Sequence, residues 1–155
     1  MPILFSGGLI FDGNGSLLEN HAVLVDGEKI SKIAPCGEFE GFNGKQIDTT
    51  GGTLMPGLID CHVHLVYCGE ADPKSHLLNL NPGQIVMNAF ENAQNTLNSG
   101  VTSIRDLGGR DFLEFAVRDA CNLGRQLGPT IKAAGRMICM TGGHGNIFGR
   151  IADGP

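Results

Sequence analysis

Short apolar runs separated by turn residues fill the first third of the chain. Leu9-Ile10-Phe11 stops at Asp12-Gly13, Ala22-Val23-Leu24-Val25 stops at Asp26-Gly27, and Lys29-Ile30-Ser31-Lys32-Ile33 follows at once. Asp26-Gly27 between two apolar runs predicts a β-hairpin closed by a type I′ turn, because Asp-Gly accepts the positive φ angles that such a turn requires. On the second arm Ile30 and Ile33 break strict alternation, which predicts a bulge. Residues 35–46, punctuated by Pro35, Gly37, Gly41 and Gly44, read as a loop, and Gln46-Ile47-Asp48 and Thr53-Leu54-Met55 as further strands. About five short strands then make a small β layer over residues 1–57, with exposed edges and little core of its own.

The periodicity changes from residue 58. Leu58-Ile59-Asp60-Cys61-His62-Val63-His64-Leu65 reads as a strand whose side chains alternate between faces, with Asp60, His62 and His64 on one side and Cys61 and Val63 on the other. Asn81-Pro82 opens a helix as N-cap and first-turn proline, Ile85, Ala89, Ala93 and Leu97 repeat along one face beside Val86 and Phe90, and Gly100 closes it. Residues 101–107 form the next strand, stopped by Gly108-Gly109. Residues 111–123 form a second helix with Phe112, Phe115, Ala116, Ala120 and Leu123 inward, and residues 130–134 form a third strand that runs into Thr141-Gly142-Gly143-His144-Gly145-Asn146. The order β-α-β-α-β predicts an α/β fold with parallel neighbouring strands and right-handed crossovers. His62, His64, Arg105, Asp106 and His144 all fall where strands end, the place where parallel α/β sheets put their ligand sites.

Composition narrows the class. The 155 residues are 41% hydrophobic and 17% charged, which fits one soluble globular domain by length alone. The 24 glycines are roughly twice the usual share of ~7%, so the chain needs many turns or close backbone approaches, and their lack of a three-residue period excludes collagen. The net charge is −5 with scattered basic residues, which argues against a nucleic-acid partner. The N-terminus has no basic leader region and no 18-residue apolar run occurs, so neither a secretion signal nor a membrane partner is expected. Five cysteines without a C-x-x-C pair give no disulfide framework and no zinc knuckle, which fits a reducing cytoplasm.

Two imidazoles two residues apart on a strand aim at one volume, and neutral imidazole is a common zinc ligand. His62 and His64 are therefore half of a candidate metal site. A ligating ring needs its second nitrogen held by an acceptor, and Asp60 on the same face is a candidate for it. The competing reading is a polar, solvent-facing alternation in an ordinary strand; the apolar surroundings and the carboxylate weigh against it. Two histidines alone bind weakly, since a catalytic metal takes three or more protein ligands plus water. Cys61 reads as buried apolar filler rather than a nucleophile, and His21 and His76 as surface residues.

Met55-Pro56-Gly57-Leu58-Ile59-Asp60-Cys61-His62-Val63-His64, preceded by a glycine-rich β layer, resembles the start of the catalytic barrel in the amidohydrolase superfamily. The likeness continues through residues 99–109 and Gly128-Pro129 to Thr141-Gly142-Gly143-His144-Gly145, and its later segments are most similar to the imidazolonepropionase-related branch, which includes dipeptidases that remove C-terminal Pro, Arg or Lys. The resemblance implies that residues 58–155 are the N-terminal part of a (β/α)8 TIM barrel, its first three strands, and that residues 1–57 are half of a composite β-sandwich. It implies a metal-dependent hydrolase that cleaves a C–N bond, amide or peptide-like, with metal-activated water. The cofactor would be Zn2+, one ion or two, with other divalent metals as alternatives, held by His62 and His64 with Asp60 and Asp106 behind them. His144 would touch the substrate carbonyl or carboxylate, against the plainer reading of a surface histidine on a glycine-rich loop. Tyr67 would line the pocket or only pack. Arg105 and Asp106 would hold a substrate carboxylate or a loop, or form an ion pair within the barrel.

The implied substrate is a small molecule or dipeptide, and the implied full-length protein a cytoplasmic homo-oligomer. The family's bridging Lys or Glu, two further His and proton-shuttling Asp lie on later strands and have no match here, and an eightfold barrel takes ~250 residues. The chain thus reads as an N-terminal fragment, inactive alone, with uncovered edges that favour self-association. A reading of another class is a stand-alone, non-catalytic module that binds metal weakly or a protein partner. A nucleotide-binding sheet would need a G-x-G-x-x-G or P-loop, which the sequence lacks.

Overall fold

The computed structural model describes residues 1–146 and 149–155, which form a mixed α/β structure with several sheets, divided into two compact units, Met1–Pro56 and Gly57–Pro155. In the first unit β1 (Ile3–Ser6), β2 (Leu9–Phe11), β3 (Leu17–Leu18), β4 (His21–Asp26), β5 (Lys29–Pro35), β6 (Lys45–Asp48) and β7 (Thr53–Leu54) make two sheets, ordered β5-β4-β1-β6 and β3-β2-β7. The apolar pattern predicted five of these and missed β1, which precedes the glycine pair Gly7-Gly8, and β3, which has only two residues. The hairpin is formed by β4 and β5, but Asp26 pairs with Lys29, so the loop is Gly27-Glu28 rather than Asp26-Gly27. Of these two only Gly27 has a positive φ, 59°, the pattern of a type II′ turn and not of the expected type I′. The expected bulge is present: Leu24 pairs with Lys32 and Val25 with Ile30, which leaves Ser31 as the extra residue, its hydroxyl donating to the Leu24 carbonyl at 3.1 Å.

The second unit contains β8 (Leu58–Val63), α1 (Pro73–Asn79), α2 (Pro82–Asn98), β9 (Val101–Asp106), α3 (Glu114–Asn122), β10 (Thr130–Ala133), β11 (Ile138–Cys139) and β12 (Arg150–Ile151). β8, β9 and β10 pair in parallel in that spatial order, as the alternation of strands and helices predicts, and β11 and β12 form a separate parallel pair. The Asn81 side chain accepts from the Gln84 backbone and Gln84 reaches back to the Asn81 backbone, both at 3.0 Å, a full capping box at the start of α2. Ile85, Ala89 and Ala93 of that helix are buried, and the last two pack with Leu65, Ile104, Val117, Cys121 and Ile131 in one core cluster. Full burial of a side chain such as Leu65 or Ile131 contributes about 1.5–3 kcal/mol. No helix among the described residues is long and apolar enough to cross a membrane.

The second predicted helix begins later and faces differently from the expectation. Asp111 and Phe112 take left-handed conformations, φ 56° and 60°, so α3 starts at Glu114 and its phase shifts. The buried face is Glu114, Val117 and Cys121, whereas Phe112, Ala116 and Leu123 are exposed. The aromatic rings find other partners: Phe112 and Phe115 lie 5.3 Å apart, with the Arg136 guanidinium over Phe112 at 5.3 Å and that of Arg118 over Phe115 at 4.0 Å. Arg136 also donates to Asp111 at 2.8 Å, which holds the left-handed turn in place.

Candidate metal centre

The site is built where β8 and β9 end. Asp106, the last residue of β9, is fully buried, and its two oxygens accept the backbone N–H of Leu65 at 2.9 Å and of Gly108 at 2.8 Å. One carboxylate thereby ties the turn that leaves β8 to the turn that leaves β9. Gly108 has φ 141°, and a Cβ there would lie 2.6 Å from Met137 Cγ and 3.0 Å from the Gly135 carbonyl, so the backbone can pass only as glycine. The Gly108 carbonyl sits 2.8 Å from His64 Nδ1. A carbonyl can only accept, so Nδ1 carries a proton, and in the neutral form of the ring the lone pair is then at Nε2, the tautomer of a ligating imidazole. Asn92 of α2 fixes the same turn from the other side, donating to the Leu65 and Tyr67 carbonyls at 2.8 Å each.

The His62 and His64 rings lie 5.5 Å apart, edge to face at 72°, and the Tyr67 ring is 6.0 Å from His64. Burial pushes the Tyr67 phenol up from its ordinary pKa of 10.0, so at neutral pH it keeps its proton and can donate. These three residues, with Lys74, Leu107 and His144, line a cleft of about 810 Å³, to which Met137, Ile138 and the glycine-rich loop that carries His144 also contribute. That loop is anchored by Thr141, whose backbone N–H and hydroxyl donate to Asp153 at 2.7 and 2.5 Å. Residues far apart in sequence thus converge on the cleft.

Other predicted residues lie elsewhere. Arg105 is exposed, does not line the cleft, and donates through Nε to the Cys61 carbonyl at 3.0 Å. The expected Arg105–Asp106 ion pair is absent among the described residues, because successive strand residues face opposite ways and put one outside and the other in the core. Asp60 accepts the His62 backbone N–H at 2.9 Å, and it is a backbone carbonyl that holds the ring nitrogen of His64. Cys61 is exposed rather than buried: β8 ends the sheet order and its pairing with β9 is irregular between Asp60 and Val63, so the simple alternation fails there. His21 and His76 are half-buried and lie outside the cleft.

Sequence reasoning missed Gly108, Asn92 and Lys74. Asn92 left a signal, since it stands seven residues after Ile85 and three after Ala89, a polar residue on the apolar stripe of α2. Among the described residues no group of three or more His, Cys, Asp or Glu is placed to hold a metal ion, so the donor set offered here is the two imidazoles. That set, with the tautomer of His64 fixed by its backbone acceptor, suits two positions around a zinc ion.

The family model described as "Amidohydrolase family" matches residues 53–146. Ochratoxinase of Aspergillus niger is 34% identical over 149 residues, which cover 91% of this chain and 29% of that protein. Imidazolonepropionase of Hahella chejuensis is 46% identical over 55 residues, 35% of this chain and 14% of that protein. The crystal structure of a Xaa-Pro dipeptidase with methionine bound in its active site superposes with a TM-score of 0.79 at 30% identity, covering 93% of this chain and 36% of that one. The chain spans only 14–36% of the length of these relatives.

Proposed function

The chain belongs to the amidohydrolase family, and on that footing we propose that it supplies the first three strands of a (β/α)8 barrel and half of the metal site of a hydrolase that cleaves an amide or peptide-like C–N bond. His62 and His64 hold the metal, Zn2+, as one ion or a pair. The observation that carries this reading is the Gly108 carbonyl on His64 Nδ1, which leaves Nε2 as the ring nitrogen able to ligate on a residue that lines one cleft with His62, Tyr67 and His144. When bound, the metal polarises the scissile carbonyl and lowers the pKa of water towards ~7.

The chain's own residues do the remaining local work. Asp106 and Asn92 lock the turn that carries His64, which keeps the ligand from swinging out of register. Tyr67, protonated at neutral pH, donates to a polar group of the substrate, and His144 contacts its carbonyl or carboxylate. Leu107, Met137 and Ile138 give the cleft an apolar part of its lining. The further ligands and the group that takes the proton come from outside these residues, as do the loops that choose among substrates. The substrate is a small molecule or dipeptide, and the protein acts in the cytoplasm as a homo-oligomer.

Elemental analysis of the full-length protein should find zinc, and His62→Ala and His64→Ala should each lose it together with hydrolysis of N-acyl amino acids. Full zinc retention in the double variant would sink this reading.

A further inference from the structure

The net charge of the chain is −5, yet no Asp or Glu lines the cleft among the described residues. Among the described residues its one ammonium is that of Lys74. The position of Lys74 is set by a packed helix: Asp72 caps α1 by accepting the Ser75 N–H at 3.1 Å, and Leu77 of the same helix is fully buried in a cluster with Val66 and Ile85. The main chain of Lys74 joins Ser75 in holding the Asp72 carboxylate, while its ammonium enters no ion pair with any described residue. The Asp72 carboxylate at the start of the same helix feels this charge, but no ion pair among the described residues closes on it. Arg105, the cation that sequence reading put forward for this task, lies outside the cleft with its Nε on the Cys61 carbonyl.

We propose that Lys74 is a specificity-determining residue, one that binds a carboxylate of the substrate and makes the cleft prefer anionic over neutral amides. The inference rests on the reading of this cleft as the hydrolytic site. Lys74 lines the same cleft as His62 and His64, so a substrate carboxylate held by its ammonium shares that cleft with the two imidazoles. A single ammonium on a flexible stem accepts a carboxylate without demanding bidentate geometry. A charge-assisted contact of this kind is worth about a tenfold to hundredfold change in affinity.

The test is calorimetric binding of N-benzoylglycine and its neutral carboxamide to the full-length, metal-loaded protein. The wild type should bind the acid more tightly. Lys74→Met keeps the apolar stem and removes the charge, and should lose about 10-fold or more in affinity for the acid while its affinity for the carboxamide holds. Lys74→Arg should restore most of the preference, and Arg105→Met should leave it intact. Equal affinity of the wild type for the two probes, or a preference that disappears in Arg105→Met and survives in Lys74→Met, overturns the proposal. Binding needs no turnover, so a protein that prefers the acid yet hydrolyses no amide would refute the catalytic reading and leave the role of Lys74 standing.

Discussion

Glu114 takes both carboxyl oxygens into the interior without a hydrogen-bond partner among the described residues. Burial pushes its pKa above the ordinary 4.5 and the Asp106 charge adds to the shift, while the main-chain N–H groups of Glu114 and Gly109, near the carboxylate but outside good hydrogen-bond geometry, and the Arg118 charge oppose it. An acid raised on folding leaves the folded state at its full relative stability below about pH 4.5, where both states hold the proton. Stability is then lost as the pH rises towards the folded value, because the unfolded chain releases its proton first. Glu114→Gln is neutral throughout, so it should match the wild type near pH 4 and melt at a higher temperature at pH 7, read from thermal unfolding across that range. A lower melting temperature at pH 7 would mean that the ionised form has a partner. Asp106 is the opposite case, with each oxygen engaged by a backbone N–H. Asp106→Asn leaves one of those donors facing an amide NH2 and should cost about 1.5–3 kcal/mol in urea unfolding, with weaker zinc retention in the full-length protein. His62, His64 and Asp106 were legible as polar residues at strand ends. Gly108 was not, because it acts through a main-chain oxygen that every residue possesses.

At the scale of elements, legibility followed the strength of the local code. α2 declares itself through Asn81 and Pro82, and the structure realises that cap and adds Gln84 to complete a capping box. Asn81→Ala should lower stability by about 1 kcal/mol, measured by chemical denaturation, with no change in the cleft. The start of α1 carries a related signature, Asp72 followed by Pro73, but only seven residues follow before the helix ends, too few for apolar periodicity to stand out. The phase of α3 was illegible for another reason. A helix's inward face depends on where its first turn starts, and two consecutive left-handed residues, neither of them glycine, delayed that start. Arg136 stabilises this turn through Asp111 and Phe112, a contact between segments 25 residues apart that no local pattern reveals. The same limit applies to β8, where irregular pairing with β9 undid the strict alternation that had put Cys61 in the core.

At the scale of the molecule, each unit exposes apolar surface. In the first unit Phe5, Phe11, Val25, Ile30, Ile33 and Met55 line an apolar concavity of about 270 Å³. In the second, Leu58, Ile59 and Ile138 are each more than half exposed. The 155-residue chain on its own should therefore self-associate and bind apolar dyes, visible as early elution on size exclusion, and Ile30→Lys with Ile59→Lys should reduce both. A sharp monomeric peak without dye binding would contradict this. The order of parallel strands was legible because crossover helices leave few alternatives, whereas the convergence of Lys74 and His144 on one cleft needed the folded chain. The proton on His64 is held by a main-chain oxygen, and inheritance cannot delete a main-chain oxygen. Variation reaches that contact only through Asp106 or through a residue that displaces Gly108. Lys74, Tyr67 and His144 are ordinary side chains, each replaceable by one codon change. Descendants of this chain can thus drift in what they bind while the nitrogen that the proposed function gives to a metal stays the same.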